Sequence, residues 1–294
     1  MSAARMKHPA RRVRIRVLAA GLALLLGACA SLPPTQTVQL GGQRLAQLRV
    51  GQGPGPTLVL QSGLGDSHTT WAELIPLLSE RHRVWTYDRP GYGDSPRASA
   101  PRDACTVARE LHGTLQAAGV RPPYLLVGHS IGGLYQHAFA RLYPQEVAGL
   151  VLLEPTHPEH WARLQQEAPG TAVLVRALRS SAFSGVMRDE FDAQTDCLDR
   201  LPPRGPDAPP AMLLRRSRFA LAEQGAFAEL VARLWQDWGR LVALEGIEHL
   251  PGDDHYLQRS QPKRVAAAID AMVARHCPRV VGEEAGAARC EGRG

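Results

Sequence analysis

The body of this chain of 294 residues lacks the excess of positive charge that its composition suggests. Lys+Arg number 34 against 28 for Asp+Glu, which gives a formal net charge of +6. Residues 1–28 carry six cations and no acid, so they account for the whole excess. Because residues 29–294 are neutral overall, we expect no basic face for phosphates and no nucleic-acid partner.

The sequence also lacks the motifs that hold cofactors. It has no phosphate-binding loop, no dinucleotide-binding fingerprint and no pair of cysteines at the CxxC spacing of metal sites. We therefore expect neither a cofactor nor a metal, and we expect any chemistry to be carried by protein groups alone. The hydrophobic fraction of 44% and the charged fraction of 21% are typical of a folded globular chain.

An apolar run long enough to cross a bilayer is missing from the N-terminal region. Residues 17–28 form an apolar run of only 12 residues, which follows the six cations. A basic segment followed by a short apolar one is the layout of a secretory signal peptide. The sequence thus predicts a signal peptide over residues 1–28 and a short polar tether over residues 29–36.

The tetrapeptide Leu26-Gly27-Ala28-Cys29 resembles the lipobox of bacterial lipoproteins. This resemblance implies that Cys29 becomes the lipid-modified first residue of the mature protein, which the lipid then anchors to a membrane. Because Ala30 is not the Asp that retains many such lipoproteins at the inner membrane, the expected site is the outer membrane, facing the periplasm. The alternatives are a plain cleaved signal, which would give a secreted protein, and an uncleaved anchor.

Four cysteines remain in the body of the protein. Their even number in an oxidising compartment permits two disulfides with three possible pairings, among which the sequence does not choose. They are Cys105, Cys197, Cys277 and Cys290.

Apolar runs and amphipathic segments alternate along residues 37–277. A hairpin pattern around Gly41-Gly42 comes first. Uniformly apolar runs between amphipathic helices indicate an α/β fold whose mostly parallel sheet is covered by helices on both faces. These runs lie at residues 57–61, 83–87, 124–127, 149–153 and 211–215, with a shorter one near 248–251. Thr106 is the expected N-cap of one helix, and another is expected over residues 226–244.

The segment 156–210 interrupts this alternation. It combines short helical stretches with five prolines between residues 202 and 210. Such an excursion from a regular core predicts a lid or cap rather than a second domain. Residues 278–294 are rich in Gly, Ala and charge, which predicts a flexible tail.

Residues 128–132 form a G-x-S-x-G sequence centred on Ser130. An apolar strand leads directly into it and an amphipathic helix follows, which is the context of a nucleophile elbow. The glycines leave room for a sharp turn with strained serine dihedrals. The N-terminus of the following helix adds a positive dipole where an oxyanion develops. Ser130 is therefore the predicted nucleophile.

With these residues the chain resembles the alpha/beta-hydrolase superfamily, in the manner of a serine esterase. Residues 62–65 match its oxyanion loop, usually His-Gly-x-Gly, with Ser62 in place of the His. Residues 88–95 match its D-x-x-G-x-G-x-S turn, and His255 before the final helix matches its base. The resemblance covers residues 37–277, with the segment 156–210 unmatched in detail, and implies the alpha/beta-hydrolase fold with a lid or cap insertion.

The roles of the remaining site residues follow from acyl-transfer chemistry. His255 lies in a loop after the last strand and is the predicted general base, whereas His249 lies in or beside a strand and is predicted to be structural. Glu154 ends an apolar strand, where a carboxylate is costly without a partner, and is the predicted third member. Other carboxylates stay possible for that role, namely Asp189, Asp196, Asp199, Asp207 and Glu223.

The expected oxyanion donors are the backbone N–H groups of Leu64 and Ile131. The carboxylates of Asp88 and Asp94 are expected to close local hydrogen bonds in their turn. Three tryptophans could line an acyl pocket, although core or lid packing is the favoured role for each. They are Trp71, Trp161 and Trp235.

The resulting prediction is a serine hydrolase, specifically a carboxylic-ester hydrolase that acts on a small acyl substrate through an acyl-enzyme. The same triad could serve a lactonase, an amidase, a perhydrolase or cofactor-free haloperoxidase, or a carbon–carbon hydrolase. A non-enzymatic binding protein tethered to the cell envelope is a further alternative. Substrate identity depends on the walls that residues 156–210 build, and the sequence determines neither it nor the oligomeric state.

Overall fold

A computed structural model describes residues 32–97 and 99–277 of the chain. The predicted signal peptide, the lipidation site Cys29, the cysteine Cys290 and the predicted tail at 278–294 lie outside the described residues, as do the first residues of the tether. None of the helices in the two described ranges has the length and hydropathy needed to cross a membrane.

An eight-stranded sheet forms the centre of the molecule, with the strand order β1-β2-β4-β3-β5-β6-β7-β8. The pairs β1/β2 and β2/β4 are antiparallel, and every later pair is parallel. The predicted α/β fold with a mostly parallel sheet is therefore confirmed. The strands are β1 (Gln36–Leu40), β2 (Gln43–Val50), β3 (Thr57–Gln61), β4 (Val84–Tyr87), β5 (Tyr124–His129), β6 (Val147–Leu153), β7 (Pro210–Arg216) and β8 (Ala243–Leu250).

Nine α-helices connect or flank these strands within the described residues. They are α1 (Ile75–Ser79), α2 (Ala104–Ala117), α3 (Ile131–Leu142), α4 (His160–Glu167), α5 (Pro169–Ser181), α6 (Gly185–Ala193), α7 (Ala226–Leu241), α8 (Leu257–Ser260) and α9 (Pro262–His276). Helices α4 to α6 lie between β6 and β7 and form the predicted insertion, which we call the cap. The cap packs on α7 through Leu164, Ala172 and Leu230.

Two hydrophobic clusters cover the two faces of the sheet. One contains Leu126 with side chains of α2, α3 and α7, and the other contains Leu125 and Val127 with side chains of α1 and α9. Successive residues of a strand point to opposite faces, so the fully apolar strand β5 feeds both clusters. This arrangement explains why the sequence shows uninterrupted apolar runs rather than alternating ones.

Several predicted element boundaries are wrong. The short strand predicted near 248–251 is the eight-residue strand β8, which begins at Ala243. Helix α2 is capped by Asp103 rather than Thr106, because the Asp103 carboxylate accepts hydrogen bonds from the backbone N–H groups of both Cys105 and Thr106. Helix α7 ends at Leu241, three residues before the predicted end at residue 244, because β8 begins at Ala243. Strand β1 begins at Gln36, inside the predicted tether, because Gln36 pairs with Gln47.

A disulfide joins Cys105 at the start of α2 to Cys197 just beyond α6. It selects one pairing from those that the sequence left open. The bond closes a loop with a sequence separation of 92 residues and ties the cap to the core. Constraining so long a loop removes substantial conformational entropy from the unfolded chain.

We predict that replacing both Cys105 and Cys197 by Ser lowers the free energy of unfolding by about 2–5 kcal/mol. Chemical denaturation of the double variant and the wild type measures this difference. The double variant is preferable to a reductant, because Cys277 is also disulfide-bonded and would be reduced as well. Equal stability of the two proteins would show that the bond does not constrain the unfolded chain.

Candidate active site

Strand β5 ends in a sharp turn that holds Ser130 in a strained backbone conformation. Ser130 has φ 55° and ψ −125°, a region that L-residues other than glycine rarely occupy. A Cβ atom at Gly132 would lie 2.2 Å from the carbonyl oxygen of Gln61, and one at Gly128 would lie 2.6 Å from that of Gly132. The two glycines of the G-x-S-x-G sequence are therefore required by close backbone contacts on both sides of the serine.

The turn opens onto a cavity of about 340 Å³. The predicted nucleophile, base and acid all line it, as do the residues of the two predicted oxyanion donors. The structure thus brings together, from four separate segments of the chain, Ser130, His255, Glu154, Leu64 and Ile131. Parallel strands place their carboxyl ends at one edge of the sheet, which is why these segments meet.

Glu154 directly follows β6 and is buried, with a φ of 48°. Its Oε2 lies 3.4 Å from Nδ1 of His255. Its Oε1 accepts a hydrogen bond of 2.6 Å from the backbone N–H of Arg216, whose Nε also lies 3.3 Å from Oε2. The buried carboxylate therefore has hydrogen-bonding partners, as its burial requires. It contacts Nδ1 of His255, and the other ring nitrogen, Nε2, is the one that the predicted nucleophile needs.

Arg216 is a site residue that the sequence analysis missed. Its guanidinium binds both oxygens of Glu223, at 2.9 and 3.0 Å, and the carbonyl oxygen of Asp253 two residues before His255. Arg216 thereby links the strand end at Glu154 to the loop that carries His255. The available signal was its position at the end of β7, at the edge of the sheet where the predicted catalytic groups converge.

The other candidate acids lie in different surroundings. Asp189 pairs with Arg97 and Asp199 with Arg200, both at exposed positions. Of the five alternatives, Glu223 is the one that lines the cavity, and its oxygens are occupied by Arg216. The geometry therefore favours Glu154 over the alternatives that the sequence left open.

The residue before the nucleophile, His129, contacts the His255 loop. Its Nε2 lies 3.1 Å from the carbonyl oxygen of His255, and the two rings are 4.7 Å apart. Burial, followed by the charge of His255, keeps the pKa of His129 well below its usual range, so its ring is neutral. His129 therefore supports the loop, while His249 lies exposed on β8 and binds Arg215.

Cap residues and α7 give the cavity a largely apolar wall. Trp161 and Trp235 belong to this wall, whereas Trp71 is a core residue whose Nε1 donates to the hydroxyl of Ser62. His160 also lines the cavity, and burial, followed by the charge of His255, lowers its pKa to about 4. The further apolar lining residues are Leu164, Val175, Phe183, Phe191, Phe227 and Val231.

In the turn at residues 88–95 the carboxylate of Asp88 closes a local hydrogen bond, as expected. The same expectation for Asp94 is wrong, because its carboxylate accepts from the hydroxyl of Thr35, 59 residues away, at 3.3 Å. Asp88 accepts hydrogen bonds from the backbone N–H of His68, at 2.7 Å, and from that of Asp94, at 3.0 Å. Its carboxylate is also 2.8 Å from Nδ1 of His68, and the pKa of Asp88 is lowered: burial opposes the shift, but these hydrogen bonds outweigh it. Asp88 therefore fixes the loop that follows β4.

One group in the described residues has the spacing to hold a metal ion. It consists of Asp103, Cys105 and Cys197, and it lies away from the cavity. Its two sulfur atoms are joined in the disulfide, so they are not available as thiolate ligands.

Comparisons with known proteins agree with this architecture. A family model described as alpha/beta hydrolase fold matches residues 56–226, which is more than half of the chain. The Bacillus subtilis (strain 168) protein YqjL is 39% identical over 101 residues, which cover 34% of this chain and 40% of YqjL. The matching segment thus spans well under two thirds of that curated relative.

Two solved structures share the fold. A bacterial membrane phospholipase A has a TM-score of 0.61 and 23% sequence identity, over 84% of this chain and 87% of that one. The carboxylesterase CesB from Bacillus subtilis has a TM-score of 0.58 and 16% identity, over 84% of this chain and 94% of that one. At these identities the likeness concerns the fold alone.

We predict that Glu154→Gln lowers kcat for an activated ester by about 10³-fold or more, because the amide no longer stabilises a protonated His255. The matched variant Glu223→Gln is expected to lower kcat by less than about tenfold, since Glu223 acts on Arg216 rather than on His255. Steady-state kinetics of both variants tests the assignment. A larger loss in Glu223→Gln than in Glu154→Gln would reverse it.

Proposed function

This chain belongs to the alpha/beta-hydrolase family, and from that premise we propose that it is a serine hydrolase that cleaves carboxylic esters. The observation that carries the proposal is the strained turn at Ser130, which opens onto the same cavity as His255 and its carboxylate partner Glu154. A hydroxyl needs a neighbouring base to become a nucleophile, and a histidine held by a buried carboxylate is such a base.

In the proposed mechanism His255 Nε2 takes the proton of Ser130 Oγ as the oxygen attacks the ester carbonyl carbon. Glu154 accepts a hydrogen bond from the Nδ1–H group of His255 and stabilises the imidazolium that forms. The negative charge that develops on the carbonyl oxygen is stabilised by the N–H groups of Leu64 and Ile131 and by the N-terminus of α3. His255 then protonates the leaving alcohol, which leaves an acyl group on Ser130.

Water completes the cycle by the same steps in reverse order. His255 removes a proton from the water as it attacks the acyl carbon, and the second tetrahedral intermediate uses the same N–H donors. The bond to Ser130 Oγ breaks, and the serine recovers its proton from His255. The products are a carboxylic acid and an alcohol.

The lining of the cavity is evidence that the proposed substrate is an ester with an apolar acyl group. Its wall is built by aromatic and aliphatic side chains of the cap and α7, including Trp161, Phe191 and Trp235. Burying apolar surface is worth about 25 cal/mol per Å², so this wall favours hydrocarbon chains over charged acyl groups. Its charged or titratable lining groups are Glu154, Arg216, Glu223, His160 and His255.

We predict that a fluorophosphonate probe labels the wild type at Ser130 and that Ser130→Ala abolishes labelling and lowers ester turnover by about 10⁵-fold. The exposed Ser217→Ala is the matched control and is expected to retain both. A series of nitrophenyl esters should show faster cleavage of longer acyl chains than of acetate, and matched anilides should react more slowly.

Two results would contradict this assignment in different ways. Labelling of Ser130 without cleavage of any ester would leave the nucleophile in place and indicate another reaction of the same triad, such as lactone or amide hydrolysis. Absence of labelling in the folded wild type would contradict a serine nucleophile and favour a binding protein with a hydrolase fold.

We propose further that Cys29 carries a lipid that anchors the enzyme to the outer membrane, facing the periplasm. The support is the basic and apolar layout of residues 1–28 and the tetrapeptide that ends at Cys29. A tether of about seven residues reaches at most about 25 Å, so the body would stay close to the lipid surface.

Metabolic labelling with radioactive palmitate in a Gram-negative host tests the anchor. The wild type is expected to incorporate label and to fractionate with the outer membrane, whereas Cys29→Ser is expected to do neither. The double variant Cys105→Ser/Cys197→Ser, which removes two cysteines of the body without leaving an unpaired partner, serves as the control and should still be labelled. Incorporation of label into Cys29→Ser would contradict the assignment of Cys29.

A further inference from the structure

The loop that carries the predicted oxyanion donor Leu64 is held by a buried arginine. Arg89 follows β4 and is only 1% exposed. Its Nη1 donates to the carbonyl oxygen of Ser62 at 2.6 Å, and its Nη2 donates to that of Gly63 at 2.8 Å. The Gly63 carbonyl belongs to the same planar peptide group as the N–H of Leu64, so a contact that fixes one fixes the other.

The edge of the Arg89 guanidinium formed by Nε and Nη2 binds a carboxylate of the cap. Glu190 of α6 is fully buried, and its oxygens accept hydrogen bonds from Nε and Nη2 of Arg89, each at 3.0 Å. The hydroxyl of Tyr92 donates to the same carboxylate at 2.9 Å. Burial is the largest single influence and lowers the pKa of Arg89, but the charge of Glu190, the influence of Tyr92 and the hydrogen bond to Glu190 together outweigh burial and raise it.

We propose that Arg89 is a positioning residue for the oxyanion hole and that Glu190 of the cap holds it in place. Because the peptide group is planar, binding the Gly63 carbonyl orients the N–H of Leu64. The hydrogen bond from the Arg89 guanidinium to that carbonyl oxygen also polarises the peptide and strengthens its N–H as a donor. The inference rests on the proposed function, since an oxyanion forms only if Ser130 attacks a carbonyl.

Packing of α6 gives independent support for this link. A Cβ atom at Gly65 would lie 3.1 Å from Met187, and one at Gly91 would lie 3.1 Å from the side chain of Val186. Helix α6 therefore lies directly against both the oxyanion loop and the turn that carries Arg89. The cap that walls the acyl cavity also holds the oxyanion loop, so a displaced cap would leave Arg89 without its carboxylate.

The proposed role needs several coplanar N–H donors on one side chain, which arginine has and lysine lacks. Arg89→Lys is therefore the informative variant. Lysine keeps the charge but cannot bind two carbonyls and a carboxylate in one plane. We expect kcat for an activated ester to fall about 10- to 100-fold, somewhat less than for the loss of a whole oxyanion donor, while KM changes by less than about threefold.

A trifluoromethyl ketone provides a readout that a purely structural role would not change. Its carbonyl carbon forms a bond with Ser130 Oγ, the serine proton passes to His255, and the electron pair of the carbonyl stays on oxygen as an oxyanion. We expect its affinity for Arg89→Lys to fall by the same factor as kcat/KM. The affinity for the product alcohol, which has no carbonyl or carboxylate oxygen to bind the N–H donors, should change by less than about threefold.

Glu110→Gln is the matched control. The Glu110 carboxylate is also largely buried, and its ion pair is with Arg102 at 2.8 Å rather than with Arg89, Glu190 or the oxyanion loop. Glu110→Gln is expected to lower thermal stability about as much as Arg89→Lys, with kcat and ketone affinity within about threefold of the wild type. Equal kinetic losses in the two variants would overturn the proposal.

A folded Arg89→Lys with wild-type kcat and ketone affinity would likewise overturn it. If that variant does not fold, Glu190→Gln, which keeps the size of the side chain, is expected to show the same paired loss of kcat and ketone affinity. Wild-type kinetics in Glu190→Gln would then overturn the proposal. A wild type that neither binds the ketone nor cleaves esters would instead contradict the proposed function itself.

Discussion

The close approach of two backbone segments at Gly132 is the constraint on which the rest of the site depends. The start of α3 lies so near the end of β3 that a single methyl group at Gly132 would overlap the carbonyl oxygen of Gln61. This contact brings the turn at Ser130 close to the loop at Leu64, so that both line the same cavity. The proposed nucleophile and the two proposed N–H donors can then converge on one carbonyl group, with both donors held by the backbone.

Two buried carboxylates, Glu154 and Glu190, are each paired with an arginine. Glu154 accepts from the backbone N–H of Arg216 and faces His255, and Glu190 binds the fork of Arg89. A buried charge is costly without a partner, so each pair fixes the segments that contribute its members. One pair thereby holds the loop that carries His255, and the other holds the loop that carries Leu64.

The cap connects these features to the substrate cavity. Its helices supply much of the apolar wall, and its Glu190 reaches beneath the oxyanion loop. The disulfide between Cys105 and Cys197 ties the same segment to α2. Because a disulfide, a buried ion pair and the packing of Leu164 on α7 all attach the cap, it is an integral wall of the cavity rather than a detachable cover.

The sequence by itself predicted the parallel sheet, the serine on its elbow, the histidine after the last strand and Glu154, because these depend on local patterns. Apolar runs, glycines at fixed spacing and a carboxylate at a strand end are visible without a fold. Only the tertiary structure decided that Glu154 rather than Glu223 faces His255, that Cys105 pairs with Cys197, and that Arg89 joins Glu190 across 101 residues. Those pairings depend on how segments that are distant in the sequence pack together, and the local hydrophobic periodicity of the sequence does not reveal them.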